Sequence, residues 1–145
     1  MPAAVRTQRT LRVSREEVFA AWTEPARLRE WWGPPGFSVD RIDGDLEVGG
    51  SYRIVMRPPE GALVELVWTF EEISPPDRLA YRWRWVLGGV EQPETHVTVD
   101  FRDAPEGTRV ELVHLGFADE AEWRHHDDGW RGCFGRLEAI LNQMV

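Results

Sequence analysis

The sequence predicts an α+β domain in which a curved antiparallel sheet of about six or seven strands wraps a long C-terminal helix, with two short helices after the first strand. Three observations predict it. Apolar residues in the last third recur every seven positions, as they do along one side of an α-helix. From Phe37 to Leu115 they alternate every second position, as in strands with one wet face. Turn signals break that alternation at short intervals, so the connections are hairpins and the sheet is read as an antiparallel meander.

Residues 5–13 read as the first strand. Ser14-Arg-Glu-Glu17 follows as a capping box, in which the Ser14 hydroxyl accepts from the third amide and Glu17 reaches back, and a helix starts there with Val18, Phe19 and Trp22 inward. Thr23-Glu24-Pro25 restarts the chain into a second short helix, since proline suits a first-turn position, and Leu28, Trp31 and Trp32 finish it. Gly33-Pro34-Pro35-Gly36 then stops any helix. Breaks at Gly49-Gly50, at residues 58–61, at residues 74–77, at Gly88-Gly89 and at residues 104–107 divide the alternating region. Tyr52, Ile54 and Met56, then Val64, Leu66, Trp68 and Phe70, then Leu79, Tyr81, Trp83 and Trp85, then Val97, Val99 and Phe101 share one face. Arg53, Arg57, Glu65, Thr69, Glu71, Arg82, Arg84, His96 and Asp100 share the other.

The final helix is predicted over residues 119–143. Trp123, Trp130, Leu137 and Met144 form one row, His126, Cys133 and Ile140 the next, and Asp127, Phe134 and Leu141 its far edge, with Glu122, Asp128, Arg131 and Glu138 in water. A helix clasped by a sheet can leave a cavity, and such cavities take small molecules.

The 145 residues and 42% apolar composition fit one domain with no repeat or linker. A net charge of −8 argues against nucleic acid and anionic membranes, both of which need a basic patch. All 17 basic residues are Arg, which excludes Schiff-base and phosphate-loop lysine chemistry. No apolar run is long enough for a signal peptide or a membrane span, and the single cysteine allows no internal disulfide, so the expected location is the cytoplasm. Cys133 reads as core packing rather than a nucleophile. The four histidines lack metal-ligand spacing, so no metal and no cofactor are expected. Monomer and homodimer are both compatible with the pattern.

The stretches VFAAWTEPARLREWWGPPGF (residues 18–37), DLEVGGSYRIVM (45–56), FEEISPPDRLAYRW (70–83), HLGF (114–117) and HDDGW (126–130) lie in an order that spans nearly the whole chain. Together they resemble the START-like helix-grip superfamily (SRPBCC, birch-pollen-allergen-like), and within it the group homologous to the C-terminal domain of the activator of the heat-shock protein 90 ATPase. One departure is DLEVGG, where the group more often carries DLRPGG, so Val48 replaces a turn residue. The resemblance implies a cavity between sheet and C-terminal helix, a protein partner in stress response as a second reading, and a cyclase- or aromatase-like enzyme as a third. The eukaryotic activator carries a further N-terminal domain for which 145 residues leave no room, so this chain alone is expected not to stimulate the ATPase.

His114 is the sharpest candidate for chemistry, because it shares strand parity with Val110 and Leu112 and so faces inward where the last strand meets the helix. A general base, a ligand donor and a structural histidine bonded across that junction all fit the position. Tyr52 and Tyr81, of inward parity, are the partners a cyclase would use. The candidate cavity wall also takes Ile54, Met56, Trp68, Trp83 and Val99 from the sheet and His126, Trp130 and Phe134 from the helix. Trp32 and Phe37 bracket the Gly-Pro-Pro-Gly loop as a lid or as core cover. Gly129, Gly132 and Gly135 each cost helix stability and call for a reason, of which close packing on a curved sheet ranks ahead of ligand clearance. No GxSxG, GxGxxG or inward carboxylate pair occurs, so enzymatic function is poorly supported and the expected occupant is a small apolar or aromatic molecule.

Overall fold

The computed structural model describes residues 3–143, in the order β1 (Val5–Leu11), α1 (Arg15–Thr23), α2 (Pro25–Leu28), β2 (Ser38–Gly44), β3 (Ser51–Arg57), β4 (Val64–Ser74), β5 (Arg78–Leu87), β6 (Val90–Glu91), β7 (Thr95–Ala104), β8 (Gly107–Leu115) and α3 (Glu120–Asn142). Met144, assigned to the helix row from its spacing, lies outside the described residues.

The strands form one antiparallel sheet in the order β1-β8-β7-β5-β4-β3-β2, with the two-residue β6 paired to β5. This is the helix-grip architecture, with eight strands rather than six or seven because β6 is counted. Consecutive strands from β2 to β8 do meander, but β1 departs from that order. It pairs with β8, from Val5 opposite His114 to Leu11 opposite Thr108. Hairpin turns cannot make that pairing; α1 and α2 carry the chain from one edge of the sheet to the other. Register shifts between Val39 and Arg41 and between Phe70 and Glu72 mark bulges, which bend strands and add to the sheet's natural twist.

Ser14 caps α1, its hydroxyl accepting from the Glu17 amide at 3.3 Å, while the Glu17 carboxylate takes the Arg27 guanidinium at 2.9 Å and so ties α1 to α2. Pro25 begins α2 as expected, but regular helix ends at Leu28 and Trp31 and Trp32 follow in a turn. Their amides still return to the Leu28 carbonyl at 3.3 and 3.1 Å, and the Trp31 indole donates to the Ala21 carbonyl at 3.0 Å. Burial therefore holds these residues where helical propensity alone would not.

Asp119 caps α3 by accepting from the Glu122 amide, and the helix buries Trp130, Leu137 and Leu141 as the seven-residue recurrence requires, with Cys133 and Phe134 beside them. Trp123 is only half-buried, its indole donating to the Ala4 carbonyl at 3.1 Å, and Glu138 is half-buried rather than in water because Arg9 of β1 reaches it at 3.4 Å. α3 thus runs alongside the edge strand β1, from Trp123 at Ala4 to Asn142, whose side-chain oxygen accepts from the Arg12 amide at 3.2 Å. Asp127 is buried and pairs with Arg131 at 3.1 Å one turn later. The core between sheet and helices is dominated by rings, with Trp22 edge-on to Trp31, Phe101 and Phe134.

Candidate functional site

Where the first half of α3 diverges from the sheet, a partly open cavity of about 570 Å³ remains. Its size falls in the usual range for small-molecule pockets. Trp32, Phe37, Met56, Trp83, Trp85 and Trp130 supply its aromatic and apolar wall, while Gln92, Asp119, Glu122, His125 and His126 bring polar groups. The Gly33-Pro34-Pro35-Gly36 turn closes one side. Gly33 and Gly36 sit at φ 104° and 86°, which glycine alone adopts without strain, and that geometry lets Trp32 and Phe37 flank the same opening.

Of the residues placed on the wall by parity, the structure brings Trp32, Phe37, Met56, Trp83, His126 and Trp130 to the cavity. Tyr52, Ile54, Trp68, Tyr81, Val99, His114 and Phe134 belong instead to solid core. The inward direction was right for all of them; what spacing misses is that α1 covers Tyr52 and Tyr81 and packs on Phe134, and that Trp130 and Phe117 close over His114. The Tyr52 hydroxyl donates to the Thr23 carbonyl at 2.6 Å, and the Tyr81 hydroxyl accepts from the Trp22 indole at 3.3 Å. Burial raises both phenols above their ordinary range, for Tyr52 with help from the Asp45 and Glu24 charges, so each stays protonated as an anchor for α1.

The spacing-based reading missed Trp85, Gln92, Pro93 and Thr95 on the wall, and it weighed Gly129 for ligand clearance but ranked packing first. Trp85 carried a signal in sharing the parity of Trp83. The segment 92–93 carried none, because it lies outside any periodic element.

The glycines of α3 divide by their surroundings. A Cβ on Gly132 would meet the Pro35 ring at 3.0 Å, so this glycine lets the helix approach the loop. A Cβ on Gly129 would meet nothing within 4 Å, and Gly129 faces the cavity. Packing explains Gly132; open space, not close packing, surrounds Gly129. Cys133 also reaches the wall, its thiol donating to the Gly33 carbonyl at 3.3 Å, and burial pushes it up to about 11, which keeps it protonated and unreactive.

Two histidines, His126 on the wall and His114 behind it, have ring centres 5.3 Å apart. The Trp130 indole N–H points at Nδ1 of His114 at 3.0 Å, so Nδ1 is the acceptor, the proton sits on Nε2, and Nε2 donates to the Thr95 hydroxyl at 2.7 Å. Thr95 passes its own hydrogen toward the Trp83 carbonyl at 3.5 Å. His126 carries the opposite tautomer. Its Nε2 accepts from the Trp85 indole at 2.9 Å, and its Nδ1 donates to the Glu122 carbonyl at 2.7 Å. Burial, then the neighbouring His126 and His96, holds His114 well below the usual imidazole range, and burial lowers His126 as well. Both imidazoles are neutral with both nitrogens engaged, so a general-base role for either requires breaking an indole hydrogen bond first.

Residues 12–142 match the family described as Activator of Hsp90 ATPase homolog 1-like protein. The chain belongs to that family. Similar solved structures include the family protein of Silicibacter pomeroyi, 27% identical with a TM-score of 0.87, the match covering 99% of this chain and 100% of that one. A protein of Chromobacterium violaceum is 25% identical with a TM-score of 0.88, over 98% of this chain and 99% of that one. One from Nitrosomonas europaea, 23% identical with a TM-score of 0.82 over 98% and 96% of the two chains, shares the fold. No curated protein matches.

The structure shows why valine is tolerated at the turn within Asp45–Met56. Val48 is 67% exposed and touches no core, while Gly49 takes the positive φ of 86° that the turn needs. Among the described residues no group of three or more His, Cys, Asp or Glu is placed to hold a metal ion, and no helix is long and apolar enough to cross a membrane.

Proposed function

We propose that the protein binds a small apolar or aromatic molecule in the cavity between the first half of α3 and the sheet. The observation that carries this reading is the space over Gly129, kept open among indole rings in an interior otherwise packed solid. An unfilled apolar hollow forfeits dispersion contacts, and a helical glycine costs about 0.5 to 1 kcal/mol against alanine, so an occupant gives both a reason. The cyclase-like alternative draws less support, since Tyr52, Tyr81 and His114 are each committed to internal partners.

A neutral naphthalene fluorophore titrated into the protein tests the reading. Saturable binding with quenching of tryptophan emission is expected, as four indoles line the space. Gly129→Ala should raise stability by about 0.5 to 1 kcal/mol in denaturant melts, since it gains helix propensity without a clash. Gly129→Leu should weaken the fluorophore at least tenfold while the fold holds, by filling the cavity itself. Unaltered binding in Gly129→Leu would count against the site, and no binding by the parent protein would remove the proposal. Native mass spectrometry of gently purified protein then gives the mass of any retained occupant.

A further inference from the structure

We infer that the cavity selects apolar cations, an amine or quaternary ammonium joined to a hydrocarbon or aromatic body, over anionic amphiphiles of the same size. This rests on the binding reading above and adds the charge of the ligand to it. Two carboxylates, Asp119 and Glu122, lie among the residues lining the cavity, and none of the 17 arginines does. A ligand bearing a carboxylate or sulfate would therefore meet carboxylates and no guanidinium. An ammonium meets the reverse: the indoles of Trp32, Trp83, Trp85 and Trp130 along the wall and two acids at the rim. Indole is the aromatic face most attractive to cations.

The N-terminus of α3 reaches the same rim, and its dipole on its own would favour an anion. Two acidic side chains offset that dipole. Asp119 Oδ1 accepts from the Glu122 amide at 2.9 Å and Glu122 Oε2 accepts from the Ala118 amide at 3.1 Å, so two amides are taken and the carboxylates leave the rim negative. The guanidinium nearest along the helix, Arg124, is held by Glu120 at 2.9 Å. His126 has both nitrogens engaged and adds no positive charge. The chain's net charge of −8 draws cations toward the mouth as well.

The test uses three probes with one naphthylmethyl body and a trimethylammonium, hydroxyl or carboxylate substituent. Dissociation constants are measured by tryptophan quenching at pH 8, where free imidazoles are uncharged. The ammonium should bind tightest and the carboxylate weakest, with about a tenfold spread, the scale that two exposed carboxylates support. The spread should shrink toward unity in the Asp119→Asn/Glu122→Gln double variant, in which Asn keeps the cap and Gln keeps the amide acceptor. It should shrink likewise for the parent protein in 1 M salt, which screens rim charges and does not depend on the variant folding. Equal affinity for all three probes, or a carboxylate that binds as well as the ammonium, overturns the inference while leaving the binding reading standing. A spread indifferent to both the double variant and salt also overturns it, because the rim acids would then not be its source. If none of the probes binds, both readings fall.

Discussion

Trp130→Ala is expected to lower folding free energy by about 3 to 5 kcal/mol, the largest effect of any single truncation discussed for α3. Trp130 is 2% exposed and its ring meets those of Trp22, Trp32, Trp83 and Phe134 at centroid distances of 5.2 to 6.2 Å. Removing the indole opens a void at the junction of α1, the Gly-Pro-Pro-Gly turn and the sheet, and leaves Nδ1 of His114 without its donor. For a chain of this length that loss corresponds to a fall in melting temperature of roughly 10 to 16 °C. Trp130→Phe separates the two contributions, since it keeps most of the ring and loses the N–H; a cost of about 1 to 3 kcal/mol is expected for the orphaned buried acceptor and the smaller ring. A Trp130→Ala protein that melts within about 2 °C of the parent would mean that the helix does not seat this ring as described.

Acidification is expected to destabilise the protein steeply below about pH 6.5, the ordinary imidazole value. His114 and His126 are both held below that value in the folded chain, so between their folded and unfolded values the unfolded chain binds more protons. Stability then rises with pH through that window. The contribution is complete above the unfolded value and is lost progressively as pH falls below it, at up to about 1.4 kcal/mol per pH unit for each imidazole that stays neutral. A second proton on His114 would have to face the Trp130 N–H, which is why burial and geometry act in the same direction. Urea midpoints measured from pH 8 to pH 5 check this, with His114→Leu as the comparison. That variant should be less stable at pH 8, because Trp130 and Thr95 lose their partner, but should show a shallower decline on acidification. An equal decline in both proteins would assign the acid sensitivity to other groups.

The sequence was most legible where one physical constraint acts on neighbouring residues. Ser14 announced its helix because a helix start leaves amides that a short polar side chain satisfies locally, and the seven-residue recurrence announced α3 because one side of a helix returns every two turns. Alternation along Tyr52–Met56 and Leu79–Trp85 marked the inward face because a strand turns every second side chain to one side. Those same rules could not separate core from cavity. Tyr81 and Trp83 have identical parity and lie two residues apart, yet Tyr81 sits under α1 with the Trp22 indole on its hydroxyl while Trp83 faces the cavity. The difference comes from how far α1 extends over the sheet, which no local pattern encodes.

What the chain's order of residues determined by itself was the main elements, the inward face of the long strands and of α3, and the family, since these follow from short-range periodicity, capping and motifs read in series. The tertiary structure alone decided that β1 closes against β8 rather than joining the meander, because that pairing brings together residues about a hundred positions apart. It alone decided that His114 is a bonded strut rather than an open base, because Trp130 and Thr95 converge on it from a helix and a strand with no shared spacing. It alone also decided that Gly129 borders open space while Gly132 is pressed on Pro35. Both are glycines on one helix three residues apart; the proline loop lies against one, and the space over the other exists only where helix and sheet diverge.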